Sequence, residues 1–323
     1  MHCARGSSRV AELAERIRAL QWQGSLDLPL PAAGATAERH RTLMQFGRMD
    51  LSVARIVEAH TDAIAILAEQ GRAGQLNALY GVWASDGPQS KVIAASSPDG
   101  GWRLSGVKQY CSGGSLVDAA LVTAHAEAGL LLFEVPLHLA GITLLPSTWV
   151  TGALADTTTV PVSFDCVELP PTAVVGAAFS YLRRPGFWHG AIGPAACWAG
   201  GALSLIDAAV ELNRQDAHSR AHLGALEAIG WGFHALLAEG GREIDADPDD
   251  ADAARLRALK LRHLIERWCT EVMDRFGRAT GPQLLAMDAA VVRQYSALTV
   301  YIRQCHAERD LETIAQISPA PTG

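Results

Sequence analysis

The sequence has few cysteines and never pairs them: Cys3, Cys111, Cys166, Cys197, Cys269 and Cys305 lie far apart, with no CxxC among them. That spacing suits neither a zinc site nor a disulfide framework, and predicts reduced, mostly buried thiols. Basic charge is also short. There are 27 Lys and Arg against 34 Asp and Glu, a net charge of −7. Nucleic acid or an anionic membrane is therefore a poor partner, because phosphate binding draws on clustered Lys and Arg. The first twelve residues contain no apolar run that could act as a secretory segment, so a cytoplasmic location is expected. Internal repeats and low-complexity segments are lacking too. One stretch, Pro185 to Ile206, has no Asp, Glu, Lys or Arg and reaches the ~20 residues of a membrane span. It is mostly Ala and Gly with His189 and Pro194 inside, which favours a buried bundle helix over membrane insertion.

Apolar residues, by contrast, are plentiful. They make up 49% of the 323 residues and charged ones 19%, enough to bury a sizeable core in an ordered globular protein. At ~150 residues per domain, two folding units are expected and three are possible.

The periodicity changes twice along the chain. Val10, Leu13, Ile17 and Leu20 share one helical face, and helical patterns resume at Thr36 to Met49 and Leu51 to Gly71. From about Leu76 the chain turns to short β-rich runs separated by Asp86-Gly87-Pro88, Pro98-Asp99-Gly100-Gly101 and Gly113-Gly114. In the last run Val160, Val162, Phe164 and Cys166 alternate with Thr159, Pro161, Ser163 and Asp165, which predicts a strand with the first set buried. After Gly176 helices return, including a stripe from Trp188 to Leu212 and another from Met287 to Cys305. The expected fold is α+β: a helical N-terminal region (1–75), a central β-barrel or sandwich (76–176) and a C-terminal four-helix bundle (177–323).

Three stretches then stand out. Tyr80-Gly81-Val82-Trp83-Ala84 resembles Y-C-V-T-E-P. Leu104 to Gly114, followed by Asp118 to Val122, resembles L-x-G-x-K-x-W-I-T-N-G…A-D-x-x-x-V. Phe164 to Pro170 with Val175-Gly176 resembles F-D-x-V-x-V-P…L-G. In this order and at these separations they are similar to the acyl-CoA dehydrogenase family of FAD flavoenzymes, from about Asp50 to Asp310. The resemblance implies a homodimer or homotetramer, FAD as cofactor, and an acyl-CoA or other small-molecule substrate. No metal is expected: His218 and His222 stand i, i+4 on a helix, but with no Glu between them and no third ligand nearby. It puts Tyr110 where the family stacks Trp on the flavin, Ser112 where a Thr hydroxyl bonds it, and Tyr80, Val82 and Trp83 on the neighbouring strand. Arg220, in Arg220-Ala221-His222-Leu223-Gly224, stands where the family's Arg reaches the FAD pyrophosphate, a task suited to a guanidinium fork. By residue type alone, Tyr110 and Trp83 also suit a barrel core, and Arg220 a solvated surface.

The chain departs from the family where chemistry happens. Ala84-Ser85 replaces Glu-Pro, and in Tyr301-Ile302-Arg303-Gln304 an isoleucine falls where Y-E-G-T carries the catalytic base. Isoleucine accepts no proton. Glu308 and His306 lie close enough to act instead, His306 because histidine titrates near neutral pH and the family's flavin monooxygenase branch ends its bundle with a His-containing motif. Three readings follow: an FAD-dependent oxidoreductase acting on the CH–CH bond of an acyl thioester with Glu308 as base, feeding an electron-transfer partner; a flavin monooxygenase using His306; or a non-catalytic partner subunit.

Overall fold

Three helices come first in the computed structural model, α1 (His2–Trp22), α2 (Thr36–Met49) and α3 (Leu51–Glu69). The structure describes residues 2–88 and 90–318, with side chains from Ser8 onward, so the Cys3 thiol lies outside the described residues. Gly71 stops α3: it adopts φ +67°, and the Arg72 N–H returns to the Leu67 carbonyl at 2.9 Å, closing the last turn.

The chain divides into two compact units, and the N-terminal helices are shared between them. Residues 1–27, 55–151 and 155–187 form the first, and residues 28–54, 152–154 and 188–323 the second. The helical region expected over 1–75 is thus no unit of its own. In the first unit, Arg18 of α1 makes a two-pronged bond to Asp118 at 2.9 and 2.8 Å, holding the helix to the strands. In the second, α2 lies so close to a later helix that a Cβ on Gly47 would overlap the Cys197 carbonyl, and one on Gly200 the Met44 carbonyl. Such backbone contact is open only to glycine.

The strands of the first unit are β1 (Tyr80–Trp83), β2 (Val92–Ser96), β3 (Trp102–Cys111), β4 (Ala119–Ala126), β5 (Gly129–Pro136), β6 (Ile142–Leu144) and β7 (Val160–Leu169). They form one mixed sheet in the order β1-β4-β2-β3-β7-β6, with β5 paired to β4. β6 is three residues long, too short to show an alternation in sequence. The alternation read along β7 holds for Val162 and Phe164 and then slips, because Leu104 pairs with Val167 and Gly106 with Phe164. Two β7 residues thus face one of β3. In this bulge Cys166 takes φ +52° and turns outward, correcting its predicted burial. Cys111, Cys197, Cys269 and Cys305 are buried free thiols, as expected.

Short helices α4 (Ser180–Arg183) and α5 (Pro185–Gly190) lead to α6 (Ile192–Leu212), α7 (Ala217–Ala246), α8 (Ala251–Thr280), α9 (Pro282–Met287), α10 (Ala289–Tyr301) and α11 (Glu308–Ile317). α6, α7, α8 and α10 are the four bundle helices that the sequence predicts. Asp250 caps the start of α8, accepting from the Asp252 and Ala253 N–H groups. The charge-free segment is the one helical stretch among the described residues long and apolar enough to cross a membrane, and 67% of its most apolar window is buried inside the structure.

Candidate functional site

The end of β3 carries a second irregularity in the β3–β7 pairing. Lys108 pairs with Val162 and Cys111 with Val160, so Gln109 and Tyr110 face Pro161 alone. Proline has no N–H to give to a ladder, which explains why the register breaks at this point. Tyr110 takes φ +57° in the bulge, a left-handed conformation costly for a residue with a Cβ. The result is an aromatic ring 58% exposed at a strand end, re-aimed out of the sheet.

Ser112 follows, only 8% exposed. Its carbonyl accepts the Trp83 indole N–H at 3.0 Å, and its hydroxyl lies 3.0 Å from that of Thr159, which in turn lies 3.1 Å from that of Thr157. The Gly113 N–H donates to the Thr157 carbonyl at 2.7 Å and the Gly114 N–H to that of Thr158 at 3.2 Å. Sequence reasoning missed these threonines. The signal was the Thr157-Thr158-Thr159 run ahead of β7, a set of hydroxyls with no packing task that alternation alone would assign.

β1 splits its predicted residues between its two faces. Tyr80 is fully buried among Ala63, Ile66 and Leu67, and Val82 packs against the same cluster. The Tyr80 hydroxyl accepts from the Gln75 N–H at 2.7 Å and donates to Glu134 at 2.6 Å, while Arg72 pairs with that carboxylate. Burial, reinforced by Glu134, pushes this phenol well above its usual range. Tyr80 and Val82 therefore sit in the core, because they are two apart on a strand. Trp83, on the other face, is the β1 residue that reaches Ser112.

Two residues before Tyr110, Lys108 is completely buried. Its ammonium donates to Asp86 at 2.6 Å and to the carbonyl and hydroxyl of Thr123 at 2.9 and 2.7 Å, and Asp86 also contacts His125 at 2.7 Å. Burial pulls the Lys108 ammonium below its usual range; burial acts upward on Asp86, but the bonds from Lys108 and His125 outweigh it and hold the carboxyl low. All three donors of Lys108 are used, so it braces the strand end instead of offering a proton.

In the helical unit, Ile302 is fully buried and Tyr301 packs edge-on against Trp198. The turn between α10 and α11 leaves His306 and Glu308 exposed. Asp310, buried, accepts the His306 backbone N–H at 3.1 Å, with its other oxygen 3.5 Å from the imidazole. Arg262 holds the start of this turn through the Gln304 carbonyl at 2.9 Å. Arg220 is exposed near the start of α7. It is not grouped with His306 and Glu308 by any bond among the described residues.

No protein-family model and no curated protein sequence matches the chain. Solved structures do. KijD3, solved with FMN and dTDP-3-amino-2,3,6-trideoxy-4-keto-3-methyl-D-glucose, superposes with a TM-score of 0.80 at 15% identity, over 97% of this chain and 91% of that one. Butyryl-CoA dehydrogenase from Megasphaera elsdenii superposes at 0.74 and 15% identity, over 86% of this chain and 80% of that one. The fold is that of the acyl-CoA dehydrogenases. A nitrososynthase from Micromonospora carbonacea var. africana shares it, with a TM-score of 0.79 and 17% identity over 97% and 95% of the two chains. So does the dibenzothiophene monooxygenase TdsC from a Paenibacillus species, at 0.74 and 15% over 97% and 96%.

The residues at the end of β3 suit a flavin on their own chemistry. An exposed ring offers a flat face, Ser112 a hydroxyl, and the bulge at Gln109 and Tyr110 backbone groups outside the β7 register. Such a set matches a planar heterocycle with hydrogen-bonding edges.

Proposed function

We propose that the protein is a flavin-dependent monooxygenase acting on a small organic substrate. The observation that carries this reading is the α10–α11 turn, where the family's base position holds the fully buried Ile302 while the His306 side chain is 59% exposed. A bound flavin would supply two electrons to dioxygen. One oxygen atom would go to substrate and the other leave as water, so protons must be delivered, a task for which the exposed imidazole of His306 is placed. Tyr110 and Ser112 would hold the ring, with Trp83 fixing Ser112. The reading is supported by likeness of fold to TdsC, described as a monooxygenase, and to a nitrososynthase, both matched over 97% of this chain. Purified protein mixed with reduced flavin from a separate reductase should consume oxygen and oxygenate a substrate. Oxygen uptake that yields only hydrogen peroxide across a broad substrate panel would count against it.

A second reading keeps acyl-CoA dehydrogenation, with Glu308 as the base and FAD reduced by the substrate. It is favoured by the exposed carboxylate of Glu308 at the first position of α11, two residues beyond His306. Anaerobic bleaching of bound flavin by an acyl-CoA would select it. In either reading we expect a homodimer or homotetramer, which sedimentation would measure.

A further inference from the structure

We propose that the end of α1 and the turn ahead of β1 form a binding site for a small organic cation, an amine whose charge rests on Asp27 and whose body rests on Trp22. The site lies within the first unit and stands independently of the flavin reading above.

A cavity of about 680 Å³ opens between these two segments, with Trp22, Asp27 and Leu76 in its lining. Its size falls in the range of small-molecule sites, ~300–1,000 Å³. Both walls are fixed by turns. α1 stops at Gly24, φ +69°, where the Gly24 N–H returns to the Gln21 carbonyl at 3.0 Å and the Ser25 N–H to that of Leu20 at 2.9 Å. The Asp27 N–H then donates to the Gly24 carbonyl at 3.2 Å, which folds the carboxylate back over the turn; a Cβ on Gly24 would stand 3.3 Å from its Oδ2. On the opposite wall the Ala78 N–H reaches the Gln75 carbonyl at 3.1 Å and Asn77 takes φ +59°, leaving Leu76 at the tip. Two side chains of α1 clamp the walls together: Arg18 reaches the Asn77 carbonyl at 3.4 Å and Gln21 the Ala78 carbonyl at 3.3 Å. A cavity held in this way needs little ordering when a ligand enters.

The charge balance selects the ligand. Arg18 and Asp118 cancel each other through their two-pronged bond, and Asp118 also accepts the Leu79 N–H at 2.6 Å. Asp27 is exposed, and no hydrogen bond or ion pair among the described residues engages its carboxylate. The lining therefore carries one uncancelled negative charge. Beside it stand two large apolar side chains in water, Trp22 at 80% and Leu76 at 91% exposure. An indole face attracts a cation, and a carboxylate completes the pairing. A bare metal ion would leave both apolar groups unused, a neutral molecule would leave Asp27 unused, and an anion would be repelled. An ammonium on an apolar body uses all three.

The test is titration of the full-length protein at low salt with benzylamine and, as its neutral match, benzyl alcohol. Binding is followed by calorimetry and by the indole N–H resonance that Trp22→Phe removes from the spectrum. Benzylamine should shift that resonance with a dissociation constant on the order of 1 mM, and bind about fivefold more tightly than benzyl alcohol. Asp27→Asn should abolish the preference for the amine and leave benzyl alcohol unchanged. Trp22→Ala should weaken both probes about threefold or more, the amine further than the alcohol. Both side chains are exposed, so the variants should melt with wild type; Asp27→Ser gives the same answer if Asp27→Asn does not fold. A Trp22 resonance that stays still at about ten times the expected dissociation constant overturns the proposal. So does an alcohol bound as tightly as the amine, or a preference that survives Asp27→Asn. None of these outcomes bears on flavin binding, which is read separately from flavin fluorescence.

Discussion

The indole N–H of Trp83 donates to the carbonyl of Ser112 at 3.0 Å, tying the end of β1 to the segment that follows β3. The bond is buried, and Trp83 is only 2% exposed. Trp83→Phe keeps most of the apolar volume but leaves that carbonyl without its donor, so a stability loss of about 1–3 kcal/mol is expected. If Ser112 holds a flavin, affinity should fall several-fold as well. Urea unfolding and flavin fluorescence quenching measure the two, and unchanged flavin affinity would remove Trp83 from the site.

Lys108 and Asp86 should respond unequally to substitution. Asp86→Asn leaves a fully buried ammonium without its counter-charge, whereas Lys108→Met leaves a carboxylate whose side chain is 32% exposed and still beside His125. Removing the partner of a buried charge costs about 3–5 kcal/mol, and less where the orphan reaches water. Denaturant midpoints should therefore rank wild type above Lys108→Met above Asp86→Asn. The reverse order would mean that the ammonium escapes to solvent.

Stability should fall on mild acidification. Burial lowers both His40 and His60 to about 4 in the folded protein. Above pH ~6.5 both histidines are neutral folded or unfolded, and no penalty applies. As pH drops from there to about 4 the unfolded chain takes up protons that the folded chain refuses, so stability is progressively lost, by up to about 3 kcal/mol per histidine. His60 has a further reason to stay neutral, since its Nδ1 accepts the Tyr80 N–H at 3.1 Å. Melting temperatures at pH 7 and 4.5 should separate much less in a His40→Asn/His60→Asn double variant; an equal separation would sink the assignment.

The element order was legible because periodicity is a long-range average: α2 emerges with the ends read from sequence. What alternation misses is its own interruption. The bulges at Cys166 and Tyr110 depend on pairing between β3 and β7, and nothing local to Cys166 announces that it turns out. Tyr80 and Tyr110 look equally suited to a flat ligand by residue type. One lies in the core with its hydroxyl bonded to Glu134 and the other stands exposed, and the difference is set by strand face and by the bulge at Pro161. Thr159 was visible as the residue just ahead of β7, but its link to Ser112, 47 residues earlier, exists only in the folded protein.

If a flavin binds, Arg220 is the residue expected to tell FAD from FMN. Its guanidinium is exposed near the start of α7, as an Arg reaching for a pyrophosphate would be, and FMN has no pyrophosphate. If the site takes FAD, Arg220→Ala should weaken FAD binding about ten-fold or more, the size of a charge-assisted bond, and leave FMN affinity unchanged. Equal affinities for FMN and FAD in wild type, both indifferent to the substitution, would return Arg220 to the solvated surface.

His306 and Glu308 divide the two chemistries, because each reading gives the proton task to a different side chain on one exposed turn. Oxygenation needs a group that can give and regain a proton near neutral pH; dehydrogenation needs a carboxylate to take one from carbon. His306→Ala should therefore uncouple oxygen use from product by about 10²-fold or more, raising the share of hydrogen peroxide while flavin affinity stays constant. Glu308→Gln should leave that coupling near wild type. The opposite pattern, with flavin bleaching by an acyl-CoA lost in Glu308→Gln and kept in His306→Ala, would move the assignment to the dehydrogenase. Asp310 supplies an internal control, since its carboxylate accepts the His306 N–H at 3.1 Å and fixes the turn without being exposed itself. Asp310→Asn should perturb coupling in the same direction as His306→Ala but more weakly, because the shape of the turn survives while its strongest acceptor is reduced.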